Sequence, residues 1–305
     1  MTGFSGFAPP RDKLALRSDR FACDIWPETG GAVACFHYLT PRGERVALFR
    51  PTVEKARYQP TDLACWPLLP FSNRVAQGRF RFGGAEHRLP LNVAGVPHAL
   101  HGVGWQSAWR VLSAQADRCV IALDHEANES WPFSFTARQA FTLNDDGLTI
   151  ETTLVNSDAR PAPYGLGQHP YLARPCGSRL YAPVDAVWLT DETVLPTQRV
   201  DLPPHWDLRM GVELDRIALD NCFEPLRGAA RLVWPDGGEL SVLASDNLGF
   251  LVVYNPPGDD FVCVEPVSHR PDAFNRTEQG AGVAVLAPGE SATATHRFVW
   301  RPAAA

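Results

Sequence analysis

FSFTARQAFTLNDDGLTIETTLVN, residues 133–156, reads as two strands joined by a tight turn. Phe133, Phe135, Ala137, Phe141 and Leu143 alternate with Ser134, Thr136, Arg138 and Thr142, the period of a strand with one buried face. Asn144-Asp145-Asp146-Gly147 supplies turn chemistry, and the alternation resumes at Leu148, Ile150, Thr152 and Leu154. The same signal recurs outward along the chain. Strands are expected at 20–26, 32–39, 45–49, 108–112 and 119–125 before the hairpin, and at 231–234, 239–244, 250–254, 261–265 and 296–300 after it. Helical periodicity is nearly absent; 52–66 has room for one or two short turns, broken at Pro60 and Pro67. The 27 prolines and 24 glycines are spread evenly, with no linker, low-complexity tract or fixed repeat. The expected fold class is therefore all-β with few short helices, one large antiparallel domain over residues 1–305. The least regular stretch, 196–219, reads as a long functional loop.

Composition narrows the function classes. A chain of 305 residues that is 45% hydrophobic, with 9 Trp and 16 Phe, can bury a large core without disulfides. A net charge of −6 and no block of like charges exclude a nucleic-acid partner and an anionic membrane surface, which need a basic patch. No run of 18 apolar residues exists, and the opening MTGFSGFAPPRDK lacks the basic start and apolar stretch of a secretory signal. The seven cysteines (23, 35, 65, 119, 176, 222 and 263) are scattered singly with no C-x-x-C pair, as expected of free thiols in a reducing, cytoplasmic setting. Asn128-Glu-Ser130 and Asn275-Arg-Thr277 match the glycosylation sequon, without consequence in a protein that is not exported.

Chemistry-bearing residues gather in five places. In 254–275, Phe261, Cys263 and Glu265 share one face of a short strand. If that face is covered, desolvation raises the Glu265 pKa and suits it to proton transfer; otherwise it is a solvated cap at the strand's end. Asn73 and Arg74 precede an alternating segment and offer hydrogen-bond donors to an oxygen-rich ligand, or they form a surface turn. His98 and His101 are three apart, but Pro97 and two nearby glycines make their segment a loop with no third ligand at matching spacing, so no metal is expected. His169 lies between a glycine-rich approach and Pro170; Gly165-x-Gly167 lacks the third glycine and the helix of a dinucleotide fingerprint. Asp220 is a lone acid before Phe223. Together they supply a histidine, a carboxylate and several hydroxyl-binding groups, a set fitting a polyhydroxylated substrate. No Gly-x-Ser-x-Gly elbow, phosphate loop or nicotinamide motif accompanies them.

In Asn73-Arg74 with Gly78-x-Phe80, His101-Gly102, Gln168-His169-Pro170-Tyr171, Asp220-x-x-Phe223, and Glu265-Pro266 with Asp272-Ala-Phe-Asn275, the chain resembles the aldose 1-epimerases, or mutarotases. The motifs appear in that family's order from Asn73 to Asn275. The resemblance implies a galactose mutarotase-like β-supersandwich with a free sugar in a cleft on one face, and no cofactor or metal. It also implies roles: Glu265 as general base on the anomeric hydroxyl, His169 as general acid on the ring oxygen, and His101, Arg74 and Asp220 as sugar ligands, with Asn73 in support. The segments around His169 and Glu265 depart from the galactose enzymes toward a divergent bacterial branch, which leaves the sugar open.

With ordinary pKa values of about 4.3 for Glu and 6.5 for His, His169 as an acid needs a carboxylate such as Asp220 or Glu265 to raise its pKa. Three rivals stand beside the mutarotase reading. A glycoside hydrolase or lyase would use Asp220 and Glu265 and leave the histidine unexplained. A sugar-phosphate mutarotase would draw cations from Arg79, Arg81, Arg174 or Arg270, and a non-catalytic sugar-binding protein would need no acid–base pair. Trp66, Trp105, Trp131 and Trp188 are read as core rather than sugar platforms. A monomer or homodimer is expected.

Overall fold

The computed structural model describes residues 6–276 and 281–303, so Thr277 of the second sequon lies outside the described residues. Two large antiparallel sheets dominate. The first runs in the order Leu14–Arg17, Phe21–Trp26, Ala32–Leu39, Cys65–Leu68, Gly167–Ala173, Phe261–Val267, Phe250–Asn255, Leu219–Glu224, Ala186–Thr190 and Pro196–Asp201, with Arg45–Ala47 added beside Ala32–Leu39. The second runs Arg110–Ala114, Arg118–His125, Phe135–Asn144, Gly147–Asn156, Ser291–Arg301, Glu239–Ala244, Ala230–Val233, Arg179–Tyr181 and Val212–Glu213. Three two-stranded ribbons complete the fold, among them Arg74–Ala76 with His98–Leu100. Helix is confined, among the described residues, to five 3-10 turns. None is long and apolar enough to cross a membrane.

The hairpin that opened the sequence reading forms as written. Phe135–Asn144 and Gly147–Asn156 pair without a break from Phe135 opposite Asn156 to Asn144 opposite Gly147. Asn144 Oδ1 accepts from the backbone of Asp146 (2.9 Å) and Gly147 (3.1 Å), closing the turn. Gly147 has φ +147°, and a Cβ there would stand 1.9 Å from the Phe298 carbonyl oxygen, so the close approach of the Ser291–Arg301 strand requires glycine. The apolar face of the hairpin joins one core between the sheets, with Phe141, Ile150, Leu154, Phe298 and Leu240 facing Leu172, Val262, Val264, Leu251 and Phe223. Each such side chain contributes roughly 1.5–3 kcal/mol on burial. A second apolar cluster, including Trp66, Trp105, Tyr171, Val252, Phe261 and Cys263, covers the opposite face of the first sheet. That outer face holds the candidate site.

Three sequence expectations are corrected. The 98–101 segment is not simply a loop: His98–Leu100 is a short strand paired with Arg74–Ala76, because its residues alternate into a local ribbon despite Pro97. Nor is 196–219 one loop; it holds the Pro196–Asp201 strand at the sheet edge, where Pro196 can sit at a strand start, then Val212–Glu213 and two 3-10 turns. The Gly167–Ala173 strand was not anticipated. Its residues are buried on both faces, so it carries no polar–apolar alternation.

Candidate active site

His169 and Glu265 meet because two neighbouring strands carry them to the same level. Gly167 is opposite Val267 and Tyr171 opposite Cys263, which places His169 across from Glu265, two residues in from either pair. Pro170 and Pro266 lack N–H groups at this level, and no ladder partner is formed between the flanking pairs. Side chains alternate: Gln168 points into the core, where its Nε2 donates to Gln139 Oε1 (2.8 Å) and Thr152 Oγ1 (3.1 Å), while His169 points outward. On that outer face His169 Nε2 lies 3.3 Å from Glu265 Oε1, with Glu265 2% and His169 7% exposed.

Stacking fixes the imidazole plane. Trp66, opposite His169 in the Cys65–Leu68 strand, lies face to face with it at 4.1 Å between centroids and 22° between planes. Tyr171 covers its other side at 4.9 Å and 29°, Trp105 backs Trp66 at 4.7 Å, and the Arg50 guanidinium caps Tyr171 at 3.9 Å. Among the described residues His169 Nδ1 is buried without a hydrogen-bond partner of good geometry, and the stacked rings orient the imidazole.

The remaining residues form a connected rim. Asn73 N donates to His101 Nδ1 (3.0 Å) and the His101 amide donates back to Asn73 O (2.9 Å), which leaves the His101 proton on Nε2. Asn73 Oδ1 accepts from Arg74 Nη1 (3.1 Å), and Arg74 Nη2 reaches Asp220 Oδ2 at 3.4 Å. The His101 ring stands edge-on to His169, 5.5 Å between centroids. Asn73, His101 and Asp272 adopt left-handed φ of +57°, +61° and +58°, a conformation tolerated best by these residue types and typical of sites where surroundings dictate geometry. Gly102 follows at +69°, its α-carbon so near the Leu69 carbonyl that a Cβ would lie 2.2 Å from the oxygen.

Burial sets the proton chemistry. It pushes the Glu265 carboxyl well above the ordinary range, reinforced by the charge of Asp220 and opposed by Arg74. Burial also draws His169 down to about 3 and His101 well below the usual imidazole value. This corrects the expectation that a carboxylate neighbour raises His169. The nearest carboxyl is itself buried and disposed to hold a proton, so desolvation outweighs attraction. Both directions favour a proton on the Glu265 carboxyl facing a neutral imidazole, across the 3.3 Å between Oε1 and Nε2.

All six residues expected from the sequence (Asn73, Arg74, His101, His169, Asp220 and Glu265) are brought together by these contacts. Trp66 and Trp105, read as core, border the site, whereas Trp131 is in the core between the sheets. Two supporting residues, His269 and the motif residue Asp272, had no contacts assigned to them from the sequence. His269 Nε2 accepts from Ser72 N (3.2 Å), and Asp272 Oδ1 accepts from Ala76 N (2.9 Å) while its own amide donates to Arg74 O (2.7 Å). The sequence signal was present in the 265–275 motif, but its partners are nearly 200 residues away. His98 and His101 do not share a ligand position, since each Nδ1 accepts from a backbone amide, Gln77 and Asn73 respectively. The donors that do converge are His169, Cys263 and Glu265, all within 4.8 Å of one another.

The family model for aldose 1-epimerase matches residues 12–299. The chain belongs to the aldose 1-epimerase family. It is 35% identical over 242 residues to the uncharacterized Escherichia coli K12 protein YphB, covering 76% of this chain and 82% of that one. With mouse galactose mutarotase it shares 30% over 220 residues, 67% of this chain and 62% of the mouse protein. Among solved structures, a candidate aldose 1-epimerase of Escherichia coli K12 superposes with a TM-score of 0.87 at 29% identity, over 95% of this chain and 99% of the other. A galactose mutarotase-like protein of Clostridium acetobutylicum gives 0.85 at 21% identity over 94% of each chain, a likeness of fold. The aldose 1-epimerase family thus supplies the frame in which the His169–Glu265 pair is read.

Proposed function

We propose that the protein interconverts the α and β anomers of a free aldose. The observation that carries this reading is the buried His169–Glu265 pair, 3.3 Å apart and rimmed by hydroxyl-binding groups. Transfer of the shared proton from the Glu265 carboxyl to His169 yields a carboxylate base beside an imidazolium acid at no change in net charge. Glu265 then removes the proton of the anomeric hydroxyl. As the C1–O1 bond gains double-bond character, the C1–ring-oxygen bond breaks and its electron pair takes the proton from His169. The open aldehyde rotates about C1–C2, and reclosure on its other face reverses both transfers. Each positioned group is worth roughly 10²- to 10⁴-fold.

Arg74 and Asp220 offer complementary donor and acceptor groups to sugar hydroxyls, and His101 Nε2–H supplies another donor. Of the cations considered for a phosphorylated sugar, Arg79 and Arg81 are exposed on a hairpin and Arg174 is paired with Asp215. Arg270 is buried with its guanidinium 4.3 Å from the Trp188 ring centroid. That distribution favours an uncharged sugar. Polarimetry of freshly dissolved α-D-glucose and α-D-galactose tests the reading against the spontaneous rate and a Glu265→Gln control. Acceleration lost in the variant supports it. No acceleration of any free aldose by the wild type overturns it in favour of a phosphorylated substrate or simple binding.

A further inference from the structure

We propose that the floor of this cleft is also a site for a thiophilic divalent cation, with zinc as the type, held by His169, Cys263 and Glu265. Imidazole nitrogen, thiolate sulfur and carboxylate oxygen are each established zinc donors. The three donor atoms here lie within 4.8 Å of one another with no intervening residue required. The 3.3 Å between His169 Nε2 and Glu265 Oε1 matches the edge of a tetrahedron built on metal–ligand bonds of about 2.0–2.2 Å. Zinc–sulfur bonds are about 2.3 Å, so Cys263 Sγ, within 4.8 Å of the other two donor atoms, completes one face of the tetrahedron by closing toward an edge of roughly 3.6 Å. Three protein donors leave the fourth position for water or a ligand, the pattern of open zinc sites.

The placement is built into the strand register. Cys263 precedes Glu265 by two residues in Phe261–Val267 and therefore shares its face, and its register partner Tyr171 is two residues beyond His169. The donors are preorganised: Cys263 is fully buried, and His169 is clamped between Trp66 and Tyr171. Cys263 has no task in the proton transfers proposed above. Coordination releases two protons to solvent, one from the Cys263 thiol and one held by the His169–Glu265 pair, so metal binding strengthens as pH rises. Because, among the described residues, no side chain or neighbouring amide orients and polarises His169 Nδ1, the site is expected to bind reversibly, not as a permanent structural centre. The cation would occupy the two atoms that move the sugar's protons. Metal and sugar therefore exclude one another, a clause that rests on the mutarotase reading; the metal site itself does not.

The test uses the full chain freed of metal by a chelator. Zinc is titrated by calorimetry, and cobalt(II) by absorption, where a near-ultraviolet thiolate-to-cobalt band reports sulfur ligation. Wild type, Cys263→Ala, and the control Cys176→Ala, which removes the exposed thiol, are compared. We expect one cation per chain, a thiolate band kept by Cys176→Ala and lost in Cys263→Ala, and an affinity lowered about 10-fold or more in Cys263→Ala. Zinc should slow mutarotation with each variant's rate normalised to its own metal-free rate, and a chelator should restore it. Equal zinc affinity in wild type and Cys263→Ala, or a cobalt complex with no thiolate band, overturns the proposal. Circular dichroism confirms that Cys263→Ala is folded, and Cys263→Ser provides a second, near-isosteric comparison. Cys263-dependent metal binding in a protein with no metal-free mutarotation would uphold the site while removing the activity assigned to the cleft.

Discussion

The two faces of the first sheet are made from the same strands, and within Gly167–Ala173 they treat neighbouring polar side chains differently. On the inner face Gln168 donates through Nε2 to Gln139 and Thr152 across the core and accepts through Oε1 from Cys65 Sγ. One residue later, on the outer face, His169 and Trp66 keep buried ring nitrogens without partners, and Glu265 is buried beside a histidine instead of a permanent cation. Burying a polar group without a hydrogen bond costs about 1–3 kcal/mol. The inner face is arranged for stability, and the outer face holds groups whose protonation can change. This contrast is what an acid–base site requires.

Removing the proton-transfer groups should have the largest effect. Glu265→Gln and His169→Asn are each expected to lower kcat by roughly 10²- to 10⁴-fold, with circular dichroism unchanged, because each keeps a polar side chain while ending proton exchange. Full activity in either variant would break the contrast between the faces. Acid titration comes next. Burial holds His269, beneath the cleft, and His296, whose Nε2 meets Pro266 O at 2.9 Å, down to about 4 each. An unfolded histidine titrates near 6.5, so between about pH 4 and 6.5 the unfolded chain binds protons that the folded chain refuses. Stability should therefore rise with pH across that window and fall on acidification, by at most about 3 kcal/mol for each histidine. Urea midpoints at pH 7, 5.5 and 4.5 check this, and an unchanged midpoint would argue against neutral buried rings.

Stacking on His169 sharpens the comparison further. Trp66→Leu should lower kcat about 10- to 100-fold with KM little altered, since the substitution releases ring orientation rather than a sugar contact. Trp66→Phe should keep most of the rate by keeping the face-to-face contact; a parallel loss in both, or an effect confined to KM, would assign Trp66 to sugar binding instead. The smallest effect belongs to the inner face. Gln168→Leu strands the Gln139 carbonyl and should cost about 1–2 kcal/mol in chemical denaturation with little change in kcat. A kcat loss comparable to that of Trp66→Leu would mean the two faces are coupled through the strand.

Much of this was legible in the chain. The alternation in 133–156 announced antiparallel sheet, and nearly every alternating segment formed a strand within a few residues of its expected limits. Glu265 was legible too, because Phe261 and Cys263 share its face and both are buried. The His169 strand escaped because a segment covered on both sides has no polar face, and two-sided burial gives no period to read. Trp66 and His269 escaped for a different reason. Their roles consist of contacts to His169, 103 residues on, and to Ser72, 197 residues back, which no local pattern encodes.

The sequence by itself determined the fold class, the outward face of Glu265 and, through motifs in family order, the six candidate residues that the structure brings together. Local sterics and solvation act within a few residues, and they suffice for those decisions. Only the tertiary structure decided the directions in which the proton affinities of the pair shift. Whether a nearby carboxyl raises the histidine or burial lowers it depends on how much solvent the packed strands exclude, a quantity set by the assembled sheets. The convergence of Cys263 on the same two side chains was likewise decided there, because strand register, not sequence spacing, brings donors from two segments to one point.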